Sequence, residues 1–189
     1  GLQANSVYSA IYIVTDSGGL STTNDVSFDT FVEATTVVVE AEDYNYGGGN
    51  FFDDPQPGLY GGSGGLQGVD FYESNQDTFG AYRFDEVDMA ATGDGARAKF
   101  INFGVQDYQI GGIVAGEWWN YTRTLSSPAY QLWVRAATTA AQPLRVDRVT
   151  GDRTQPNQTL QFVGSLDILR TGTLNLFDYF QLKDVQGRP

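Results

Sequence analysis

Short runs rich in β-branched and aromatic residues, separated by turn signals, constrain this chain more than any other feature of its sequence. No long stretch places apolar residues at helical spacing. Val, Ile, Thr, Tyr and Phe suit the pleated surface of a strand, and short strands at this spacing are typical of a β-sandwich. We therefore predict an all-β sandwich of two antiparallel sheets, with strands near residues 81–89, 109–114, 117–124, 130–137, 144–149, 160–162 and 177–182.

The segment Val37–Tyr44 carries two carboxylates at alternate positions, Glu40 and Glu42. In a strand, side chains two residues apart point to the same face, so these carboxylates would lie side by side. Like charges this close repel unless a cation or an arginine lies between them, and carboxylate oxygens are ligands that Ca²⁺ prefers. The spacing alone is equally compatible with an exposed, solvated strand face.

The charge and the missing residue types exclude several classes of function. The net charge is −12 and the pI is near 4.1, so a phosphate backbone or an anionic membrane is a poor partner. No apolar run approaches the length of a membrane span. The chain has neither Cys nor His, which excludes disulfides, thiolate zinc sites and Ser-His or Cys-His catalytic pairs.

Residues 1–32 have the pattern of a separate piece. A strand-like run over residues 7–14 precedes the turn signal at residues 16–19, and residues 25–29 give a second short strand. This pattern resembles the last hairpin of a bacterial immunoglobulin-like domain. A hairpin alone is marginally stable in water, so we expect it to pack on another part of the protein.

Residues 36–189 carry several phrases in an order that resembles a divergent family 6-type carbohydrate-binding module. The G-E-W-x-x-Y phrase at Gly116–Tyr121 is the most specific of them. The others are Val39–Gly48, Ala81–Asp88, Asp107–Ile113 and Tyr130–Ala137. The resemblance implies a jelly-roll of two antiparallel sheets, binding of a polysaccharide or oligosaccharide, and structural calcium held by Glu40 and Glu42. It also implies an extracellular or cell-surface protein with further domains.

Sugar binding requires an exposed aromatic ring for the face of the sugar and polar side chains for its hydroxyls. In an extended strand Trp118 and Asn120 share one face, while Trp119 and Tyr121 share the other. The family's usual Leu at the position of Trp119 implies that Trp119 and Tyr121 are buried, which leaves Trp118 as the platform. A Trp118 packed beneath a loop is an equally good interpretation. Tyr108, Asn120 and Asp107 complete the predicted sugar site.

Two departures from the family pattern affect these expectations. Gly112 stands where many family members have a Trp or Tyr, so one stacking platform is missing. The resemblance also stops before the final strands of the family. We expect the missing strands to be supplied by the hairpin of residues 1–32 or by a second chain.

Three functions remain open from the sequence. The first is a non-catalytic carbohydrate-binding module of an exported multidomain protein. The second is a structural or adhesive module that keeps the fold and the calcium without binding sugar. The third is a glycoside hydrolase fragment using a carboxylate pair. We predict that the chain is not an enzyme, because it lacks the common nucleophile systems and offers little room for a deep cleft.

Overall fold

The computed structural model describes residues 1–32, 34–75, 81–92, 104–127 and 129–189. Over these residues the chain is all-β with antiparallel pairing and without a helix, which confirms the predicted fold class. No helix within those ranges is therefore long and apolar enough to cross a membrane. The strands are β1 (Val7–Thr15), β2 (Ser21–Asp29), β3 (Phe71–Tyr72), β4 (Met89–Thr92), β5 (Asp107–Ile110), β6 (Trp118–Trp119), β7 (Trp133–Ala136), β8 (Gln142–Val149), β9 (Leu160–Ile168), β10 (Asp178–Gln181) and β11 (Lys183–Asp184).

Within the described residues, the strands form five separate sheets. β1 pairs with β2, β3 with β6, β4 with β5 and β7 with β10, while β11, β9 and β8 form a three-stranded sheet in that order. The chain divides into two compact units. Unit 1 comprises residues 1–38, 129–147 and 162–189, and unit 2 comprises residues 39–128 and 148–161. The two-sheet jelly-roll and the domain boundaries 1–32 and 36–189 stay predictions.

The hairpin predicted near the N-terminus is confirmed. β1 and β2 pair over nine residues each, from Val7 opposite Asp29 to Thr15 opposite Ser21. The Asp16 carboxylate closes the turn by accepting the backbone N–H groups of Gly18 at 2.8 Å and Leu20 at 2.9 Å. These local bonds set the register of the hairpin, since the turn fixes which residues face each other.

Unit 1 is held together by apolar residues of the later strands and by contacts at the base of the hairpin. Leu166, Ile168 and Phe180 form its buried core. The Tyr179 hydroxyl donates a hydrogen bond to Asp29 at the end of β2, and the ring of Phe31 lies 5.9 Å from that of Tyr179. The hairpin therefore packs against β10 within this unit.

Unit 2 has its own core around the β3–β6 and β4–β5 ribbons. Tyr44, Phe71, Val87 and Met89 are buried together, and Trp119 packs against them. Phe71 lies opposite Trp119 across the β3–β6 ribbon, so this ribbon turns one face towards the core. The opposite face of the ribbon is the one that Trp118 occupies.

The structure corrects the strand predicted over residues 37–44, because this segment forms no strand and turns at residues 41–42. The carbonyl groups of this segment accept hydrogen bonds from a side chain and not from a neighbouring strand. Arg83 is fully buried and donates hydrogen bonds to the carbonyl oxygens of Glu42 at 3.2 Å, of Tyr44, and of Asn45 at 2.8 Å. Its guanidinium also lies 3.7 Å from the centre of the Tyr44 ring.

The strand predicted over residues 81–89 is also wrong, because residues 81–87 form bends and β4 begins at Met89. The Tyr82 carbonyl accepts the N–H of Gly62, and the Phe84 N–H binds the Ser63 carbonyl. These isolated bonds to the Gly-rich loop of residues 46–65 are too few for a ladder.

Buried carboxylates tie down that Gly-rich loop, and Asp85 accepts the N–H of Gly65 at 2.7 Å. Asp70 is fully buried and accepts the N–H groups of Gly48 at 2.8 Å, Gly49 at 2.6 Å and Leu66 at 2.9 Å. Gly48 and Gly49 have φ values of 84° and 91°, a region that favours glycine. The glycines therefore let two successive N–H groups point at one carboxylate.

Candidate functional site

Three carboxylates of unit 2 come together, two from residues 40–42 and one from the start of β5. One oxygen from each of Glu40, Glu42 and Asp107 lies within 4.8 Å of the other two. Glu42 is 4% exposed, and the other two side chains are partly buried. Three carboxylates this close require a positive charge or protonation, since their mutual repulsion is strong in a partly buried site.

Glu40, Glu42 and Asp107 form an acidic cluster, and hydrogen bonds of a turn hold the backbone around its two glutamates. The Asp43 N–H donates to the Glu40 carbonyl at 3.1 Å, which closes a turn around Ala41. The Tyr121 hydroxyl donates to the Ala41 carbonyl at 2.7 Å, and Arg83 holds the Glu42 carbonyl. Glu40 and Glu42 therefore meet through a turn, although the sequence predicted that they meet along a strand.

Burial raises the pKa of Glu42 from its usual 4.5 to about 9, and the charges of Glu40, Asp43 and Asp107 add to the shift. A carboxyl group in this setting binds a proton at neutral pH when no cation is present. A divalent cation can neutralise such a cluster in place of the proton, and carboxylate oxygens are the donors that hard cations prefer. Its oxygen donors fit Ca²⁺, and its lack of nitrogen and sulfur donors disfavours zinc.

Asp107 joins the acidic cluster because of the β4–β5 ribbon. It is the first residue of β5 and lies opposite Thr92, the last residue of β4. The sequence placed Asp107 in the sugar site, and the structure brings it to Glu40 and Glu42 instead. Sequence reasoning missed this member of the acidic cluster because 65 or more residues separate Asp107 from the two glutamates.

Trp118 and Trp119 lie on opposite faces of the β3–β6 ribbon, as the sequence predicted. Trp119 packs against the core of unit 2, while Trp118 is partly exposed on the other face. The expectation that Tyr121 is buried is wrong, because 41% of this residue is exposed. Its hydroxyl needs only the Ala41 carbonyl as partner, which leaves the ring at the surface.

Tyr108 and Asn120 are both engaged in contacts within unit 2. The ring of Tyr108 stacks on that of Tyr82, with centroids 4.7 Å apart. The Asn120 amide donates to the Val69 carbonyl and to the Gln158 side chain, both at 2.7 Å. The predicted sugar residues are therefore divided. Trp118 and Asn120 follow one another on one ribbon face, whereas Tyr108 and Asp107 lie on β5.

Glu73 and Glu117 form a second pair of carboxyl groups at one end of the β3–β6 ribbon. Glu73 comes directly after β3, and Glu117 comes directly before β6. A hydrogen bond joins the two side chains, and burial together with this contact raises the pKa of Glu73 to about 7. Glu117 also accepts the N–H and the hydroxyl of Ser74. Two carboxyl groups that are hydrogen-bonded to each other leave no space between them for a glycosidic bond or a water. The carboxyl pairs of glycosidases require that space.

The comparisons with known proteins give no match. A scan against protein-family models found none, and searches of the curated proteins and of the solved structures found none either.

Proposed function

We propose that this chain is a calcium-stabilised, non-catalytic carbohydrate-binding module of an exported multidomain protein. The observation that carries the proposal is the convergence of Glu40, Glu42 and Asp107 within 4.8 Å. A structural cation neutralises three carboxylates and joins the turn around Ala41 to β5, which lie far apart in the chain. The sequence resemblance to a family 6-type module and the partly exposed Trp118 support the sugar-binding part of the proposal.

Calcium should raise the melting temperature of the chain. A ligand that binds only the native state at a hundredfold excess over its Kd stabilises by about 2.7 kcal/mol, which corresponds to roughly 5 to 10 °C for a chain of this size. The measurement compares thermal melting in EDTA with melting in millimolar Ca²⁺. An unchanged midpoint would remove calcium from the proposal.

Glu40→Gln and Asp107→Asn should each abolish the calcium-dependent shift, since a neutral amide is a poorer ligand for a hard cation. Asp25→Asn is the matched control, because it also removes one negative charge but lies on the exposed face of β2. A normal shift in Asp107→Asn would show that Asp107 does not bind the ion.

The second candidate is a structural or adhesive module that has lost sugar binding. It is favoured by Gly112, whose φ is 64° and where an added Cβ would clash with Asp88 Oδ2. No aromatic platform can stand at this position without moving Asp88. A glycan array together with a polysaccharide pull-down separates the two candidates, since the structural module would retain no glycan while still responding to calcium.

A further inference from the structure

The outward face of the β3–β6 ribbon carries two aromatic rings side by side. Tyr72 lies opposite Trp118 in the ribbon, just as Phe71 lies opposite Trp119. Cross-strand partners point to the same face with Cβ atoms about 5 Å apart, so Tyr72 and Trp118 are neighbours. Phe71 is 1% exposed in the core, whereas Tyr72 is 42% exposed. The ribbon thus turns Phe71 and Trp119 towards the core and Tyr72 and Trp118 away from it, with both Trp residues partly exposed.

Two residues along the ribbon this face becomes polar and more buried, at Asp70 and Asn120. The Asn120 N–H donates to the Asp70 carbonyl at 2.8 Å, which makes these two residues the next pair on the same face. Two residues of strand span about 7 Å, so Asn120 is the next side chain along this face from Trp118. Its two N–H donors are committed to Val69 and Gln158, and no described residue donates to its Oδ1.

We propose that Tyr72 and Trp118 form a two-ring platform for one sugar unit of a neutral polysaccharide, with Asn120 Oδ1 accepting a sugar hydroxyl. This inference rests on the proposed sugar-binding function and identifies Tyr72 as a binding residue. Aromatic rings cover the C–H face of a pyranose, and an amide oxygen at the platform edge recognises an equatorial or axial hydroxyl.

The charge around the platform selects a neutral glycan over an acidic one. Glu73 follows Tyr72 in the chain and Glu117 precedes Trp118, so both residues lie at the end of the ribbon, with side chains on the face opposite to the platform. The whole chain carries a net charge of −12. Uronate or sulfate groups would meet repulsion here, whereas a neutral sugar would not.

Affinity gel electrophoresis tests the platform, because an acidic chain migrates readily in native gels. The gels contain xylan, mixed-linkage β-glucan or galactomannan as neutral probes, and alginate as the acidic probe. The wild-type chain should be retarded by at least one neutral probe and not by alginate. Tyr72→Ala and Trp118→Ala should each weaken that binding about fivefold to tenfold, the value of one aromatic contact.

Tyr12→Ala is the matched control, since Tyr12 is 47% exposed on the separate β1–β2 ribbon. It should bind as the wild type does. Thermal melting in calcium checks that each variant is folded. If an alanine variant does not fold, the leucine variant replaces it, because leucine keeps apolar volume without offering a ring face.

The outcomes separate this inference from the function on which it rests. Wild-type affinity in both platform variants would overturn the platform and leave sugar binding in place elsewhere. Retardation by alginate as strong as by the neutral probes would overturn the neutral specificity. Failure of the wild-type chain to bind any probe would overturn both the platform and the proposed sugar-binding function.

Discussion

Replacing Glu42 by Gln should stabilise the metal-free chain at neutral pH. The folded-state pKa of Glu42 is raised from 4.5 to about 9 by burial, so folding at pH 7 must add a proton to this group. At about 1.4 kcal/mol per pH unit between 4.5 and 7, that proton costs about 3 kcal/mol. A glutamine has the same shape and requires no proton. Glu42→Gln should therefore raise the free energy of unfolding by up to about 3 kcal/mol in EDTA.

The pH dependence has a definite sign. Because the folded pKa lies above the unfolded value, the contribution of Glu42 to stability is complete below pH 4.5 and is lost as the pH rises towards 9. The gain from Glu42→Gln should therefore shrink to about 0.7 kcal/mol at pH 5. In millimolar Ca²⁺ the wild type should be more stable than Glu42→Gln, since the carboxylate binds the ion and the amide binds it poorly.

Urea unfolding at pH 5 and pH 7, each in EDTA and in millimolar Ca²⁺, measures these differences. Asp25→Asn provides the control for the general loss of one negative charge, from a net charge of −12. A Glu42→Gln variant that is less stable than the wild type in EDTA at pH 7 would refute the reasoning, because Glu42 would then gain from its charge in the folded state.

Three further predictions concern the scaffold. Arg83→Met should lower the free energy of unfolding, measured by urea unfolding, by about 3 to 5 kcal/mol. The reason is that the buried Asp85 carboxylate, 3.5 Å from Arg83 Nε, would lose its charge partner. Adding Asp85→Asn to this variant should restore part of the loss. Asp70→Asn should lower the free energy of unfolding by about 3 kcal/mol in the same assay, since an amide cannot accept all three N–H groups that Asp70 accepts. A loss below about 1 kcal/mol would contradict the role given to Asp70 in the Gly-rich loop. Deleting residues 1–32 removes the contacts of the Phe31 ring with Tyr179 and Trp133, so the truncated chain should aggregate or melt at a lower temperature. Light scattering measures aggregation and calorimetry measures the melting temperature. A monomer with an unchanged melting temperature would show that the hairpin does not stabilise the protein.

The features that could be predicted from the sequence depend on neighbouring residues. The hairpin of β1 and β2 follows from two strand-like runs around the Asp16 turn, and it forms as predicted. The opposite orientation of Trp118 and Trp119 follows from the two-residue period of a strand. The strand predicted over residues 37–44 fails because local β-propensity is overridden by Arg83, which binds the carbonyl groups of that segment from about 40 residues away.

The sequence by itself determined the all-β class, the acidic charge and the presence of the carboxylates and aromatics on which the calcium and sugar proposals rest. These properties are sums over residue types or patterns within one strand or turn, and they require no knowledge of distant contacts. Only the tertiary structure decided that Asp107 joins Glu40 and Glu42, and that Tyr72 lies beside Trp118. Both juxtapositions depend on pairing between segments more than 40 residues apart, and the closure of such long loops is set by the packing of the whole unit and not by local preference.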